Sequence, residues 1–288
     1  RILITGGAGS IGSELVRQLA PGNKIFILYI DETATFDLSE ELKQDGYWVQ
    51  PRVGDVRDKD SVRDLFEDFK PQYVFHCAAY KHVTPMEMYP LEAIQTNVLG
   101  TYNVMSEAKR WECLEKFTNI SSDKSVNSSS VMGISKKMAE VMVCNQGQKF
   151  LSVRFGNVLG SRGSLIPIWE NQIKRGKPIT VTSAKMERYF MSIEEAVSLV
   201  IKAAELGEGG EVICLDMGKR VNILSLAKRL TQELKFDNIK IKKIGVREGE
   251  TLTEVLMTEE ERKKAIKKGN FWIIPQDENK KRNKSLSK

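Results

Sequence analysis

Short apolar runs alternate with amphipathic segments through the first half of the chain. Runs with the length of strands lie at residues 2–4, 25–30, 49–53, 73–77, 116–121 and 151–155. Between them, apolar residues recur at helical spacing in residues 10–19, 61–69, 93–110 and 133–143. Buried strands joined by helices lie parallel, with helices on both faces of the sheet. The pattern therefore predicts an α/β fold with a doubly wound parallel sheet of the Rossmann type.

The pattern becomes less regular after Gly156, where glycine and proline interrupt it. It predicts helices at residues 193–206 and 223–234 and a strand at residues 211–216. We interpret this part as a smaller lobe attached to the sheet. The predicted division is a first domain at residues 1–155, a C-terminal lobe at residues 156–262 and a basic tail at residues 263–288.

The positive charge is concentrated at the C-terminal end. The net charge is +6, but residues 262–288 carry ten basic and two acidic side chains, so the rest of the chain has a net charge of −2. We expect a solvated basic end rather than a nucleic-acid site, because no base-reading motif accompanies it.

Cysteine usage and hydropathy point to a cytoplasmic protein without a metal site. The four cysteines form no Cys-x-x-Cys pair, and the chain has two histidines. We expect reduced, buried thiols. No apolar stretch approaches the roughly 20 residues that span a bilayer, so we expect no membrane segment in this chain. The first residue is Arg1 rather than methionine, which leaves open a membrane segment upstream.

A glycine-rich turn joins the first strand to the first helix at residues 5–12. Gly6 permits a tight turn, Gly9 lets the backbone approach a pyrophosphate, and Gly12 packs the helix against the sheet. The helix begins at Ser10 and Ile11, where free N–H groups favour phosphate. Because strand, turn and helix come in this order, residues 1–155 are predicted to bind a dinucleotide.

Asp31 ends the second strand, 19 residues after Gly12. A carboxylate there is expected to accept hydrogen bonds from the adenosine ribose and to repel a 2′-phosphate, which favours NAD and leaves NADP as the alternative. The other interpretation is that Asp31 caps a helix. Further candidates at this edge, each of which could equally be an ordinary loop residue, are Asp55 and Val56 for the adenine, and Ala78 and Ala79 for close passage of the cofactor.

The segment after the fifth strand resembles the extended short-chain dehydrogenase/reductase superfamily. In that superfamily a Ser or Thr at the strand end joins a Tyr-x-x-x-Lys pair on the next helix. The resemblance assigns Ser122 to the first position and Lys136 to the lysine that holds the nicotinamide ribose. Met132 stands where the tyrosine is expected, and a thioether cannot take a proton from a hydroxyl group. One alternative is therefore a non-catalytic, NAD(P)-binding regulatory protein.

Motifs along nearly the whole chain narrow this resemblance to one branch. They lie at residues 79–83, 96–101, 154–164, 188–192, 215–218 and 245–250. Together they resemble the CapD-like polysaccharide-biosynthesis proteins, which include UDP-N-acetylglucosamine 4,6-dehydratases, and part of this branch carries methionine at the tyrosine position. The resemblance spans residues 2 to 262. It implies a lyase that uses NAD or NADP, a UDP-N-acetylhexosamine substrate and a homo-oligomer.

Asp123 and Lys124 favour a dehydratase over a UDP-sugar 4-epimerase, the second alternative. A 4,6-dehydratase moves a hydride from C4 to NAD, removes a proton from C5 while the C6 hydroxyl leaves as water, and returns the hydride at C6. The product is a UDP-4-keto-6-deoxy-N-acetylhexosamine. The elimination needs an acid and a base, neither of which an epimerase requires.

The resemblance implies that Asp123 is the acid at the C6 oxygen and Lys124 the base at C5. The alternative, a surface ion pair, is disfavoured by the position at the carboxyl end of a parallel strand. For the C4 hydroxyl the candidates are Lys124, Asp123 and Tyr80. Our hypothesis is that Lys124 serves both proton transfers in turn.

The C-terminal lobe carries candidate ligands for a nucleotide-sugar. Arg188 and Arg247 match substrate-binding positions of the resembled family and supply cations for the diphosphate. For each arginine, an ordinary surface position is the alternative. Asn157 is a candidate for the diphosphate or sugar, Glu250 for the uridine ribose and Lys81 for the sugar.

Overall fold

Strands and helices alternate through the first half of the chain as the hydrophobic pattern predicts. The computed structural model describes residues 1–233 and 239–275. The strands of the first half are β1 (Ile2–Thr5), β2 (Ile25–Tyr29), β3 (Val49–Val53), β4 (Tyr73–His76), β5 (Lys116–Ile120) and β6 (Phe150–Arg154). The helices are α1 (Ser10–Leu19), α2 (Glu32–Gln44), α3 (Lys59–Phe69), α4 (Val83–Met88), α5 (Pro90–Ala93), α6 (Thr101–Arg110) and α7 (Val131–Cys144). A π-helix at Ile94–Gly100 leads into α6, and a 3₁₀ turn at Asp123–Ser125 follows β5.

The second half contains shorter strands between its helices. The strands are β7 (Asn157–Val158), β8 (Ile179–Val181), β9 (Glu187–Arg188), β10 (Phe190–Met191), β11 (Glu211–Leu215), β12 (Val221–Asn222), β13 (Ile241–Lys243), β14 (Ile266–Lys268) and β15 (Phe271–Pro275). The helices are α8 (Leu165–Lys174), α9 (Ile193–Leu206), α10 (Ile223–Glu233) and α11 (Glu259–Lys264). Helix α9 has the predicted bounds, and the predicted end of α10 at residue 234 lies outside the described residues.

Within residues 1–233 and 239–275, nine strands form one sheet in the order β14-β15-β11-β6-β5-β4-β1-β2-β3. The neighbouring strands β11, β6, β5, β4, β1, β2 and β3 are parallel. Strands β15 and β14 add an antiparallel edge next to β11. Apolar side chains of α1, α2 and α9 pack on one face, and those of α3, α6 and α7 on the other. The α/β, doubly wound prediction is confirmed. The strand order reverses between β1 and β4, which opens a crevice at their carboxyl ends.

The fold does not divide at the predicted domain boundaries. Strand β11, from the predicted C-terminal lobe, pairs with β6 in the main sheet. The hairpin β14–β15, from the predicted basic tail, continues the same sheet, with Ile273 opposite Ile213. The apolar run at Phe271–Pro275 makes a strand here because it packs against β11, and the lysines beside it lie on the exposed strand β14. Residues 276–288 of the predicted tail lie outside the described residues.

The rest of the second half has its own small core. Trp169 is fully buried and packs with Ile173, Ile179, Val181 and other apolar side chains of α8, β8 and α10. Its indole Nε1 donates to the Thr180 carbonyl oxygen at 2.8 Å, which satisfies the polar atom that burial would otherwise leave unpaired. This lobe is a separate unit of packing, and it forms one wall of a large cleft.

Candidate active site

A cleft of about 1280 Å³ lies between the carboxyl ends of the sheet strands and the small lobe. Most of the predicted site residues line it, although they come from distant parts of the chain. These are Gly6, Gly9, Ser10, Ile11, Gly12, Ala78, Ala79, Lys81, Ser122, Asp123, Lys124, Met132, Lys136, Asn157, Arg188, Arg247 and Glu250. The cleft is therefore the candidate active site.

The glycine-rich turn is shaped so that a side chain does not fit at two of its positions. Gly6 has φ +68°, and a Cβ there would lie 2.6 Å from the backbone nitrogen of Ala78. A Cβ on Gly12 would lie 2.2 Å from the carbonyl oxygen of Gly6. Helix α1 follows directly, so its first N–H groups point toward the cleft. Such a cradle fits the pyrophosphate of a dinucleotide.

Asp31 caps helix α2, the alternative raised by the sequence. Its Oδ1 accepts a hydrogen bond from the backbone N–H of Ala34 at 3.1 Å. The residue is exposed and lies on a second, smaller depression beside the glycine turn, together with Arg17 and Arg162. Capping does not exclude a ribose contact, and that role stays a prediction.

Asp55 and Val56 lie away from the residues that line the cleft. The carboxylate of Asp55 is bound by Arg57, whose Nε donates to Oδ2 at 2.7 Å and whose backbone N–H donates to Oδ1 at 2.9 Å. Val56 is buried in the core on one face of the sheet. The polar atoms of Asp55 are thus used locally, and the contact of both residues with the adenine stays a prediction.

Ser122, Asp123 and Lys124 form the turn after β5, and Lys124 lies between several polar groups. The hydroxyl of Ser122 donates to Oδ1 of Asp123 at 3.0 Å. The Nζ of Lys124 lies 3.1 Å from the same Oδ1 and donates to Oδ1 of Asn157 at 3.1 Å. Its shortest contact, at 2.7 Å, is with Oε2 of Glu254. Two carboxyl groups thus share one ammonium group.

Asp123 is placed to hold a proton near neutral pH. It is 1% exposed, and among the described residues its Oδ2 has no hydrogen-bond partner. Oδ2 faces Gly156, where a Cβ would approach it to 3.0 Å. Burial raises the pKa of Asp123 to about 7; the nearby ammonium of Lys124 opposes this shift and the carboxylate of Glu254 adds to it. A carboxyl group of this kind can act as a general acid.

Lys124 is held in its protonated form. Burial lowers its pKa, but the carboxylates of Asp123 and Glu254 outweigh burial and hold the pKa above its ordinary value. The same ammonium group, acting against burial, lowers the pKa of Glu254 to about 2. The burial that was expected to free Lys124 as a base is thus overcome by two carboxylates, that of the neighbouring Asp123 and that of Glu254, 130 residues further along the chain.

Helix α7 presents Met132 and Lys136 to the cleft. Met132 is 1% exposed and packs with Met86 and Ala93. The Nζ of Lys136 donates to the carbonyl oxygen of Ile120 at the end of β5. Burial lowers the pKa of Lys136 to about 8, against the opposing effects of Cys77 and Glu140. This position beside the strand end suits a contact with a ribose hydroxyl.

A buried ion pair beneath the turn fixes both of its ends. Glu140 on α7 accepts hydrogen bonds from the hydroxyls of Ser121, at 2.8 Å, and Ser125, at 3.2 Å. Its other oxygen lies 2.6 Å from Nη2 of Arg154, which is fully buried and also binds Glu261 on α11. Sequence analysis missed this network, because its members are separated by 14 and 107 positions.

The π-helix holds Asn97, a second residue that sequence analysis did not single out. Its side chain accepts from the backbone N–H of Tyr80 at 2.8 Å and donates to the Tyr80 carbonyl and the Ser135 hydroxyl. It therefore fixes the loop after β4 to helix α7. The extra residue of a π-helix is a frequent mark of a functional site, but hydrophobic spacing alone does not reveal it.

The guanidinium group of Arg188 is bound by other groups of the protein. It is 7% exposed, and its guanidinium donates to the carbonyl oxygens of Thr251, at 2.6 Å, and Leu252, at 3.0 Å. Its Nε lies 3.3 Å from Oε1 of Glu254. Arg247, in contrast, is exposed in the cleft wall, and its backbone N–H donates to Glu250 at 3.3 Å. Of the two predicted diphosphate ligands, Arg247 is the one with an accessible side chain.

The sequence matches a known protein family. Residues 2–276 match the family described as polysaccharide biosynthesis protein. The chain belongs to this family. The resemblance proposed from the sequence motifs is thereby confirmed at the level of the family.

Relatives of this family member include both a capsular polysaccharide biosynthesis protein and a UDP-glucose 4-epimerase. It is 46% identical over 272 residues to the capsular polysaccharide biosynthesis protein CapD of Staphylococcus aureus, which covers 90% of this chain and 45% of CapD. It is 38% identical over 289 residues to a UDP-glucose 4-epimerase of Rickettsia akari, which covers 96% of this chain and 83% of that enzyme. The chain therefore spans about half the length of CapD. It also spans 45% of the length of the EpsC protein of Bacillus subtilis.

Solved structures share the fold of this family member. Pen from Bacillus thuringiensis is 35% identical with a TM-score of 0.89, covering 95% of this chain and 87% of Pen. DesIV of Streptomyces venezuelae, a dTDP-glucose 4,6-dehydratase, is 21% identical with a TM-score of 0.77, covering 89% of this chain and 90% of DesIV. The second likeness concerns the fold alone.

Two kinds of feature are absent from residues 1–233 and 239–275. None of the helices there has the length and apolar character needed to cross a membrane. In the same residues, no cluster of three or more His, Cys, Asp or Glu side chains is suited to hold a metal ion.

Proposed function

We propose that this chain is an NAD-dependent UDP-N-acetylglucosamine 4,6-dehydratase. The observation that carries the proposal is the environment of Asp123. This carboxyl group has a pKa of about 7 and lies beside Lys124, at the carboxyl end of β5 and in the cleft. Its buried Oδ2 has no hydrogen-bond partner in the part of the chain that the structure describes. An elimination of water needs such an acid, whereas a 4-epimerase does not.

The residues at the glycine turn fit NAD. The cradle formed at Gly6 and Gly12 suits the pyrophosphate, and Lys136 is the proposed ligand of the nicotinamide ribose. Asp31, Asp37 and Glu41 line the smaller depression nearby, where Arg17 is paired with Glu41 at 2.6 Å and Arg162 donates to the carbonyl oxygen of Ala8. The carboxylates of Asp31 and Asp37 disfavour the 2′-phosphate of NADP. The chemistry that a bound nicotinamide would supply is hydride transfer, from C4 of the sugar and back to C6.

Asp123 and Lys124 perform the elimination as a pair. Lys124 takes the proton from C5, the C5–C6 double bond forms, the C6–O bond breaks, and Asp123 gives its proton to the leaving hydroxyl, which departs as water. This step requires a protonated Asp123 beside an unprotonated Lys124. The pair then shares one transferable proton, which lies on Asp123. The same proton can instead lie on Lys124, which gives a carboxylate beside an ammonium group. Transfer of this proton across the 3.1 Å contact between Nζ and Oδ1 interconverts the two forms. With a proton on each group, Lys124 has no lone pair for C5. After the elimination Lys124 holds the proton from C5 and returns it to C5 when the hydride reaches C6, and the pair regains one proton from solvent.

Lys124 is also our proposed base for the C4 hydroxyl, because the thioether of Met132 cannot take a proton. Lys124, whose side chain is 22% exposed, then releases that proton to solvent before it takes the proton from C5. Tyr80 lines the cleft and is the alternative. Lys124→Ala is expected to abolish turnover, and near-normal turnover in this variant would refute the role.

Arg247, Glu250, Asn157 and Lys81 are the proposed contacts of the UDP-sugar, since all four line the cleft. Arg188 is proposed to act differently, by fixing the segment that follows Glu250 through its bonds to Thr251 and Leu252. A role in capsule-type polysaccharide synthesis fits the family, and the cytoplasmic location and homo-oligomeric state stay predictions.

A UDP-sugar 4-epimerase is the second candidate, favoured by the 38% identity with the Rickettsia akari enzyme. Incubation with UDP-N-acetylglucosamine and a trace of NAD, followed by mass spectrometry, separates the two. We expect the loss of one water without accumulation of NADH. An unchanged mass with a chromatographic peak of UDP-N-acetylgalactosamine would establish the epimerase. Tight NAD binding with no change of any UDP-sugar would favour the regulatory alternative.

A further inference from the structure

Glu254 joins the two charged groups that sequence analysis assigned to different tasks. Its side chain is 8% exposed in the cleft wall. Oε2 lies 2.7 Å from Nζ of Lys124, and Oε1 lies 3.3 Å from Nε of Arg188. One buried carboxylate thus forms ion pairs with Lys124 of the proposed proton-transfer pair and with Arg188 of the small lobe.

The backbone that precedes Glu254 is fixed as well as its side chain. Arg188 binds the carbonyl oxygens of Thr251 and Leu252, and the backbone N–H of Glu187 donates to Leu252 at 3.0 Å. Thr253 forms an isolated parallel bridge with Glu187. The position of the carboxylate relative to Lys124 is therefore set by strand β9 and not by a free loop.

The charges that face Asp123 and Lys124 come from every wall of the site. Glu254 and Arg188 stand on the side of the small lobe, and Lys81, whose pKa is lowered by burial and by Lys124, stands on the loop after β4. The remaining charges are the buried pair of Glu140 and Arg154 beneath the turn and Lys136 on α7. Among these, the carboxylate that contacts Lys124 directly is that of Glu254.

We propose that Glu254 is a positioning residue of the proton-transfer pair. Through its contact with Lys124, Glu254 sets the total number of protons bound by Asp123 and Lys124. The inference rests on the proposed roles of those two residues. With a negative charge beside them, the pair keeps its second proton to a higher pH. Without that charge, the second proton leaves at a lower pH.

The test is a pH titration of Glu254→Gln, which removes the charge and keeps the size. The carbonyl stretch of a protonated Asp123, identified in infrared difference spectra against Asp123→Asn, reports the midpoint without turnover. We expect the midpoint to fall by about one pH unit or more in Glu254→Gln. The midpoint of kcat/KM is expected to fall by the same amount, because both report loss of the same proton.

Two further variants make the result decisive. Glu254→Asp keeps the charge but withdraws it from Lys124, so its midpoint is expected between those of the wild type and Glu254→Gln. Glu211→Gln is the matched control, because Glu211 is another buried carboxylate, 8% exposed, at the amino end of β11. Its midpoint is expected to equal that of the wild type.

An unmoved midpoint in Glu254→Gln would overturn the inference, as would the same shift in Glu211→Gln. If Glu254→Gln does not fold, an unmoved midpoint in Glu254→Asp overturns it. Failure of the proposed function has a different signature. A chain that does not dehydrate the UDP-sugar but still shows the infrared shift would retain the role of Glu254 while losing the assigned reaction.

Discussion

The pH dependence of turnover tests which group takes the proton from C5. In the proposed mechanism, the pair of Asp123 and Lys124 is inactive with two protons and active with one. The second proton leaves with the pKa of about 7 that burial gives to Asp123. Lys124 holds the remaining proton at higher pH, because two carboxylates keep its pKa above the ordinary value. We therefore expect kcat/KM to rise with pH through about 7 and then to stay level.

The size of the effect follows from the titration of one group. One unit below the midpoint, about one tenth of the pairs have lost the second proton, so kcat/KM is expected to be about tenfold lower than on the plateau. Two units below the midpoint the loss is about a hundredfold.

Initial rates with UDP-N-acetylglucosamine between about pH 5 and about pH 9 provide the assay. Asp123→Asn is the control, and its residual rate is expected to lack this limb. A rate that falls as pH rises through 7 would refute the reasoning. Such a profile would mean that Asp123 acts as the acid while a group other than Lys124 takes the proton.

The remaining predictions concern stability and binding. Arg154→Met removes the buried cation that pairs with the buried Glu140 and the partly buried Glu261, and leaves them the partly exposed Lys137. Chemical denaturation is expected to show a loss of about 3 kcal/mol in the free energy of unfolding; a loss near zero would mean that Lys137 or water compensates. Gly12→Ala forces the turn apart, and calorimetry should show that it loses NAD binding, whereas unchanged affinity would argue against the cradle. Asp31→Asn preserves the cap of α2 and should weaken NAD binding without altering the melting temperature, and an equal affinity would leave capping as its function. Arg247→Ala should raise KM for the UDP-sugar far more than it lowers kcat, and a pure kcat loss would contradict a binding role.

The parts of the fold with strong periodicity could be predicted from sequence. The helix at Ile193–Leu206 and the strand at Val49–Val53 have the predicted bounds. Helix α2 was not predicted, and it is held in place by the cap at Asp31 and by a few buried residues, Leu38 and Leu42 among them. The hairpin β14–β15 was missed because its lysines suggested a solvated tail, although tertiary pairing with β11 decides its structure.

The site shows the same limit at the level of single residues. The place of Asp123 and Lys124 in the cleft could be predicted, because the carboxyl ends of parallel strands meet at one edge of a sheet. Their protonation could not be predicted, since it depends on burial and on Glu254, 130 positions away from Lys124. Arg188 has the residue type of a phosphate ligand, yet its donors are taken by backbone carbonyls that only the folded chain brings to it.

The C-terminal hairpin also protects the chain against self-association. Strand β11 is buried along its whole length and apolar in Val212, Ile213, Cys214 and Leu215. Without β15 it would be an open edge strand of a kind that pairs readily with other chains. The hairpin replaces this edge with β14, three exposed residues of which two are lysines. A chain cut at residue 262 would therefore expose an aggregation-prone edge. The lysines of β14, which in the sequence resemble part of a disordered tail, disfavour pairing of the sheet edge with other chains.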